Sequence, residues 1–587
     1  MYDTLIRGAT VVDGCGGDAF IGDLAIADGR IAAVGPRVDG SAREILDAGS
    51  ALLAPAWIDI HTHYDGQATW DDAMEPSASH GVGTIVMGNC GVGFAPVAPG
   101  AEAALIELME GVEDIPGTAL HEGMPWGQWR SYPEYLDLLA RREYALDVGS
   151  MLAHGPLRHH VMGERGRANL PATADDARAM AAQVAEALAA GALGFSSSRI
   201  IGHRAVDGAP VPGTFAEDDE LLAFAGALKQ AGHGVFQMIP ASTLGSAPQF
   251  GGERHTLMDE VERMARLSRA SGRPLTFTLM QSDESPELWR EVLSRVGVLN
   301  REGASLFPQV GARPVGVVMS LDTYHPFMRR PTCLALRGLP VAQRAARMRD
   351  PVVRAAILAE DSVPHAQPGR MENLIAFARA NYPQTYALAE LDDAEPAPER
   401  SFAARAAAAG QDETAFLYDF LVAGDGRDFC VRYFANYSGH DHEALREMQA
   451  SDLTVTGLSD AGAHVSVIFD AVAPTFQLTH WVRGRTRGPR LPLARVVHRQ
   501  TLRNAQLFGL RDRGSLEVGK RADLNLIDLE RLALGPLALH RDLPAGGARL
   551  LQPAIGYVGT WIAGVRTRRD DRDTGARPGR LVRGRRA

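Results

Sequence analysis

The sequence predicts an α/β protein: a (β/α)8 TIM-like barrel, a small β-sandwich formed by the N- and C-terminal segments, and a helical insertion between barrel strands 7 and 8. Three observations carry this reading. Eight apolar, strand-like runs alternate with helix-like segments between residues 51 and 457, a pattern that favours a parallel sheet and, with eight units, a closed barrel. Short strands punctuated by glycine occur at both ends of the chain. About 140 residues separate the seventh run from the eighth, far more than one crossover helix needs.

Residues 1–54 supply the first part of the sandwich, with strands at Thr4 to Ile6, Thr10 to Val12, Asp23 to Ala27 and Arg30 to Val34, broken at Gly14, Gly29 and Gly35. The barrel is expected over 55–510. Its strand runs are Ala51 to Ile60, Thr84 to Gly88, Asp147 to Ala153, Ala192 to Ser196, Gly234 to Ile239, Pro274 to Met280, Ser305 to Val310 and Leu453 to Gly457. Thr173 with Asp176 reads as a capping box before Ala177 to Ala190, and Thr214 with Glu217 as another before Leu221 to Gln230. The insertion, about 328–450, holds Ala- and Arg-rich helical patterns at Val341 to Arg349 and Met371 to Ala380, and is expected to act as a lid over the barrel mouth. Residues 511–587 complete the sandwich and end in a polar tail, Thr567 to Ala587.

Of 587 residues, 45% are hydrophobic and 22% charged, enough apolar material for a barrel-sized core plus an accessory domain, which excludes a disordered or fibrous chain. The net charge of −11 and scattered arginines offer no footprint for nucleic acid. No run is apolar enough to span a membrane, and Met1 to Gly8 enters the first strand directly, so no membrane partner and a cytoplasmic location are expected. Cys15, Cys90, Cys333 and Cys430 form no disulfide framework. Oligomeric state is left open, a homo-oligomer included.

The strongest chemical signal is Asp59-Ile60-His61-Thr62-His63, which ends the first barrel strand. Residues two apart on a strand share a side, so His61 and His63 present two imidazoles at the mouth, a natural pair for a borderline divalent metal such as zinc. Hydrogen-bonded core histidines are the alternative. Cys90 ends the second strand between flanking glycines, where a metal would hold it as thiolate; an inert buried cysteine is the competing reading. Asp460 ends the eighth strand, where a carboxylate can both ligate metal and take a proton from water, or can simply form a turn before Ala461-Gly462.

The segments Ala54-Pro55-Ala56-Trp57-Ile58-Asp59-Ile60-His61-Thr62-His63, Asn89-Cys90-Gly91 and Ser459-Asp460-Ala461-Gly462-Ala463-His464 together resemble the amidohydrolase superfamily, specifically its N-acyl-D-amino-acid deacylase (D-aminoacylase) branch. His154 to Arg158, Gly191 to Ser197 and Gly514 to Asp523 add to the likeness, which covers nearly the whole chain and is weakest across the insertion. The resemblance implies a metal-dependent amidohydrolase acting on an N-acylated amino acid, with His61 and His63 as metal ligands, Cys90 as a shared ligand and Asp460 as the catalytic carboxylate that also touches metal. It further implies a histidine at the end of the fifth and of the sixth strand. Here those ends read Val235-Phe236-Gln237-Met238-Ile239 and Thr276-Phe277-Thr278-Leu279-Met280-Gln281, and both histidines are missing.

One firmly held Zn2+ is therefore expected, with a second site weak or absent. Around the mouth, Arg199, His203 and Arg204 are candidates to grip a substrate carboxylate, and Tyr324 and His325 to polarise a carbonyl. His154 is a further substrate-binding candidate, with a polar wall residue as the alternative. Aromatic residues Tyr64, Trp70, Phe94, Trp126 and Trp129 hint at an apolar substrate portion. Two other outcomes stay open: a catalytically altered barrel acting as a binding protein, and a non-hydrolytic isomerase or lyase on the same scaffold.

Overall fold

A computed structural model describes residues 1–390 and 394–584. Its centre is a run of parallel strands in chain order. The first, Trp57–Asp59, pairs with the second, Val82–Met87, and that with the third, Asp147–Ser150, which continues after one residue as Leu152–Ala153. From there the order runs through Gly194–Ser198, Val235–Ile239, Leu275–Thr278 and Leu306–Val310 to Val455–Thr456, every pairing parallel. A parallel bridge between Thr62 and Ala461 then brings the extension of the eighth strand back beside that of the first. Almost every residue of these strands is buried, the signature of parallel strands covered on both faces.

Helices cover the outside. Ala174–Ala190 starts on the Thr173–Asp176 capping box, and Gly191 in the left-handed conformation ends it. The second expected box is absent: the helix Asp218–Ala231 has Glu217 at its N-cap, and the Thr214 hydroxyl instead donates to the Val211 carbonyl. Three acids in the first turn, Asp218, Asp219 and Glu220, favour that start electrostatically.

The run predicted as one strand from Ala51 to Ile60 divides at Ala56. Leu52–Pro55 belongs to a separate nine-stranded sheet, in which it lies between Tyr2–Val11 and Leu524–Ile527. That sheet also takes Phe20–Ala27, Arg30–Gly35 and Ala42–Asp47 from the N-terminal side, and Tyr557–Ile562, Val565–Arg569 and Arg572–Asp573 from the C-terminal side. Ile6, Val11, Leu24, Leu53, Leu526 and Trp561 share one core in it.

The polar tail is ordered against the core. Gly579 and Leu581 bridge to Tyr144 and Val148, and Val582 N–H donates to the Val148 carbonyl at 2.7 Å. Residues 585–587 of that tail lie outside the described ones.

Between the seventh and eighth strands the chain forms helices at Pro331–Leu336, Val341–Met348, Pro351–Ala359, Met371–Ala376, Phe402–Ala409 and Glu413–Leu421. It also forms an antiparallel sheet, Val315–Met319 with Cys430–Ala435 and Thr385–Ala387. The helical description was thus incomplete, and the unit starts before residue 328 because Val315–Met319 pairs within it. Its own core includes Met319, Phe327, Ile357 and Tyr418. It meets the end of the sixth strand directly: Gln281 N–H donates to Asn436 Oδ1 at 2.7 Å, and Asn436 N–H returns a bond to the Gln281 carbonyl at 2.9 Å.

Candidate metal centre

Four side chains from three strand ends converge. His61 Nε2 lies 3.1 Å from Cys90 Sγ and 3.2 Å from Asp460 Oδ1. His63 Nε2 lies 3.5 Å from the same sulfur and 3.7 Å from the same oxygen. His61, His63 and Cys90 are buried, whereas the Asp460 side chain keeps 19% of its surface open. The ligand atoms of His61, His63 and Cys90 all lie within 4.8 Å of one another, two ring nitrogens and a sulfur of the kind zinc takes, and the Asp460 carboxylate stands against the two imidazoles.

The backbone holds these groups in uncommon conformations. Cys90 (φ 57°), Leu458 (φ 61°), Asp460 (φ 47°) and His464 (φ 48°) are all left-handed without being glycine. Such strain concentrates where surrounding structure over-determines a functional geometry. Gly91 makes the approach of this loop to the fourth strand feasible, since a Cβ there would sit 2.8 Å from the Ser198 nitrogen.

Hydrogen bonds set the surroundings. Cys90 N–H donates to Gln237 Oε1 at 3.0 Å and Gly91 N–H to Ser196 Oγ at 3.1 Å, which ties the cysteine loop to the fifth and fourth strands. His61 Nδ1 lies 2.7 Å from Gln309 Oε1, and His63 Nδ1 lies 3.3 Å from Glu113 Oε1. The other Glu113 oxygen is 3.5 Å from His464 Nε2. Gln309 and Glu113 escape the sequence reading. A glutamine at the end of the seventh strand sits at the same rim position as the other site residues, a usable signal, but Glu113 ends the helix Glu102–Glu113 and carries no local signature.

Burial opposes charge on every group, and the neighbours decide the outcome. Burial pushes the Cys90 thiol up to about 12 and lowers His61 to about 4. Burial also disfavours the Asp460 carboxylate, but His61, His63 and His464 outweigh it and hold Asp460 below the usual carboxylate range. For His63, burial is outweighed by Glu113 and Cys90, and the imidazole is raised well above its ordinary value. A thiol this disfavoured as an anion becomes a thiolate only beside a cation.

Most of the expected substrate-binding residues are engaged elsewhere. Arg199 is buried with Nε 2.8 Å from Glu260 Oε2 and a bond to the Ala216 carbonyl. Arg204 donates to the carbonyls of Ile201, Gly208 and Phe250 and lies over the Phe250 ring. His154 is held between Ser197 Oγ and Glu220 Oε1, both at 2.9 Å. His325 packs beside Phe327 in the core of the inserted unit. Tyr324 donates to Asp114 Oδ1 at 2.8 Å. His203 alone stays near the four converging groups, half-buried, with Nδ1 3.2 Å from Ser198 Oγ. Of the aromatic residues, Tyr64 bonds to Ser77 and Trp129 to the Phe94 carbonyl, and Phe94, Trp126 and Trp129 stack as packing.

The fifth and sixth strands bring no imidazole to the centre. Gln237 spends its oxygen on Cys90, Met238 is core, and Gln281 Nε2 donates to the Pro286 carbonyl. Among the described residues a second group of ligand type, Glu395, His442 and His480, is also buried. Arg485 already pairs with both Glu395 oxygens, at 2.9 and 3.1 Å, so that group is an ion-pair network.

An unexpected hairpin from the C-terminal segment, Ala538–Leu543 with Gly547–Leu551, reaches the same rim: Leu550 N–H donates to the Val465 carbonyl at 2.6 Å. A small cavity of about 30 Å³ beside Asp460 is lined by Gln67, Ala463, Phe469, Asp470 and Arg549.

The amidohydrolase family model matches residues 44–568. The chain belongs to the amidohydrolase family. An N-acyl-D-aspartate deacylase of Alcaligenes xylosoxydans xylosoxydans is 36% identical over 195 residues, which is 33% of this chain and 36% of the relative's length. A solved D-aminoacylase superposes with a TM-score of 0.64 at 22% identity, covering 99% of this chain and all of the other. The N-acyl-D-glutamate deacylase of Bordetella bronchiseptica, solved with zinc and a phosphonate mimic of the tetrahedral intermediate, gives 0.62 at 21% identity with the same coverage. The two structures establish a shared fold. Among the described residues, no helix of this amidohydrolase is long and apolar enough to cross a membrane.

Proposed function

We propose that this amidohydrolase is a metal-dependent enzyme that cleaves the C–N amide bond of an N-acylated amino acid or a related amide. Its metal ligands are His61, His63, Cys90 and Asp460, and Asp460 is its general base. The observation that carries this is the convergence of two Nε2 atoms and Cys90 Sγ with one Asp460 oxygen. The parallel strand order and the Thr62–Ala461 bridge support the closed (β/α)8 barrel that would place all four on one rim. One zinc ion fits the donor set, and the amide of Gln237 on the fifth strand replaces what a second ion would need.

Bound zinc would supply a Lewis acid for the acyl carbonyl and lower the pKa of water beside it. Asp460, ionised because its histidine neighbours outweigh burial, takes the proton of the attacking water and delivers it to the leaving nitrogen as the C–N bond breaks. His203 is the remaining candidate for a substrate contact. The deacylase names of the relatives support an N-acyl-D-amino acid as substrate. The contact between Gln281 and Asn436 supports a lid role for the inserted unit, and a cytoplasmic location belongs to the same proposal.

The test is elemental analysis with turnover of paired N-acyl-D- and N-acyl-L-amino acids. About one zinc per chain is expected, with Asp460→Asn lowering kcat by about 10²–10⁴-fold in a chain of unchanged circular dichroism. A wild-type chain that holds no metal and turns over no amide overturns the proposal. Product without oxygen from labelled water would redirect it to an isomerase or lyase.

A further inference from the structure

We infer that Gln309 and Glu113 are positioning residues that aim the two ligand imidazoles, and that Gly457 is the notch that lets Gln309 do so. The inference rests on the metal reading above and goes beyond it, because neither residue touches the four converging ligand atoms.

The geometry of Gln309 is specific. Its side chain leaves the seventh strand and places Oε1 2.7 Å from His61 Nδ1. With that oxygen as acceptor the His61 proton lies on Nδ1, an assignment made from the hydrogen-bond network, and the Nε2 lone pair faces Cys90 and Asp460. The opposite tautomer would turn an N–H toward the centre and cost the centre a nitrogen donor. Space for this amide comes from the neighbouring strand. A Cβ built on Gly457 would lie 2.6 Å from Gln309 Oε1, too close for that oxygen to stay, and in tight contact with its Cδ at 3.1 Å.

Glu113 stands in the same relation to His63. His63 Nδ1 and Glu113 Oε1 face each other at 3.3 Å, off the line of a good hydrogen bond, and both atoms are buried without a hydrogen-bond partner. Among the described residues each atom thus has the other as its facing polar group, and removal of the carboxylate would leave the buried His63 Nδ1 with no acceptor before it. Partners of this kind on the far nitrogen fix ring orientation and raise ligand basicity, and their loss costs about 10–100-fold in metal affinity.

The experiment measures zinc affinity by chelator competition and the visible spectrum of the cobalt(II)-loaded protein, with thermal unfolding of the metal-free chain as the control. Gln309→Met removes the acceptor at similar volume. Gly457→Ala changes no polar group but displaces the amide. Glu113→Met removes the facing carboxylate at similar volume. Each is expected to weaken zinc by about 10–100-fold and to shift the cobalt bands, whereas Gln309→Glu, which keeps an acceptor oxygen, retains most of the affinity. Should Gln309→Met fail to fold, Gly457→Ala and Gln309→Glu decide the matter. If the wild type binds zinc and all three weakening variants match it in affinity and spectrum, the inference is overturned and the metal reading stands. If the wild type takes up no zinc, the metal reading falls and this inference with it.

Discussion

His80 shows how strongly burial acts on single side chains away from the site. It is fully enclosed, bonded to Thr475 Oγ1 at 2.8 Å and the Gln552 carbonyl at 3.0 Å, and burial lowers it to about 4. Above about pH 6.5 the side chain is neutral in both folded and unfolded chains. As pH falls from there to about 4, the unfolded chain takes up a proton that the folded one refuses, so stability drops by about 3 kcal/mol. Urea midpoints of wild type and His80→Asn, compared at pH 7.5 and at pH 5, should therefore converge toward acid; a constant gap between them would remove His80 from the acid response. At the same scale, the convergence of His61, His63, Cys90 and Asp460 was legible because each follows a strand run at the same end of the sheet. The two-residue period of extended chain sets His61 and His63 on one side, whereas the left-handed Cys90 and Asp460 follow no such period. Arg199 was misread because its partner Glu260 lies 61 residues further on, and pairing at that distance leaves no trace in local sequence.

Individual elements repeat the distinction between local and distant causes. The cap of Ala174–Ala190 is written in four consecutive residues, with Thr173 Oγ1 accepting from Asp176 N–H at 3.1 Å and the Asp176 carboxylate accepting from Thr173 N–H at 2.9 Å. Thr173→Ala should cost about 1 kcal/mol, read as a lower urea midpoint with unchanged slope and unchanged zinc content. The strands Val315–Met319 and Cys430–Ala435 were not read from sequence, although each is apolar, because more than a hundred residues separate them and only their pairing makes them strands. The rim hairpin Ala538–Leu543 with Gly547–Leu551 was missed for a related reason. Its facing residues are partly exposed and alternate weakly, so its existence depends on docking at the Val465 loop.

Across the whole molecule the eight-unit alternation and the parallel order it favours were legible, whereas the backbone contacts that bring Thr62 beside Ala461 were not. The nine-stranded sheet and the parallel strands are riveted by Tyr557. Its hydroxyl accepts from Trp57 Nε1 at 3.0 Å, donates to the His80 carbonyl at 2.7 Å and lies 3.1 Å from Thr475 Oγ1. Tyr557→Phe leaves the Trp57 indole N–H and the Thr475 hydroxyl with one partner fewer in a buried setting, and a loss of about 1–3 kcal/mol is expected. Equilibrium unfolding measures it, and an unchanged midpoint would show that this network is neutral. The order of synthesis gives the sheet a further meaning. Leu52–Pro55 pairs on one side with Tyr2–Val11 but on the other with Leu524–Ile527, and the third parallel strand is flanked by residues 579–582. A ribosome must therefore deliver nearly all of the chain before these two strands gain their last neighbours, and until then one apolar edge of each is exposed to chaperones and to other nascent chains.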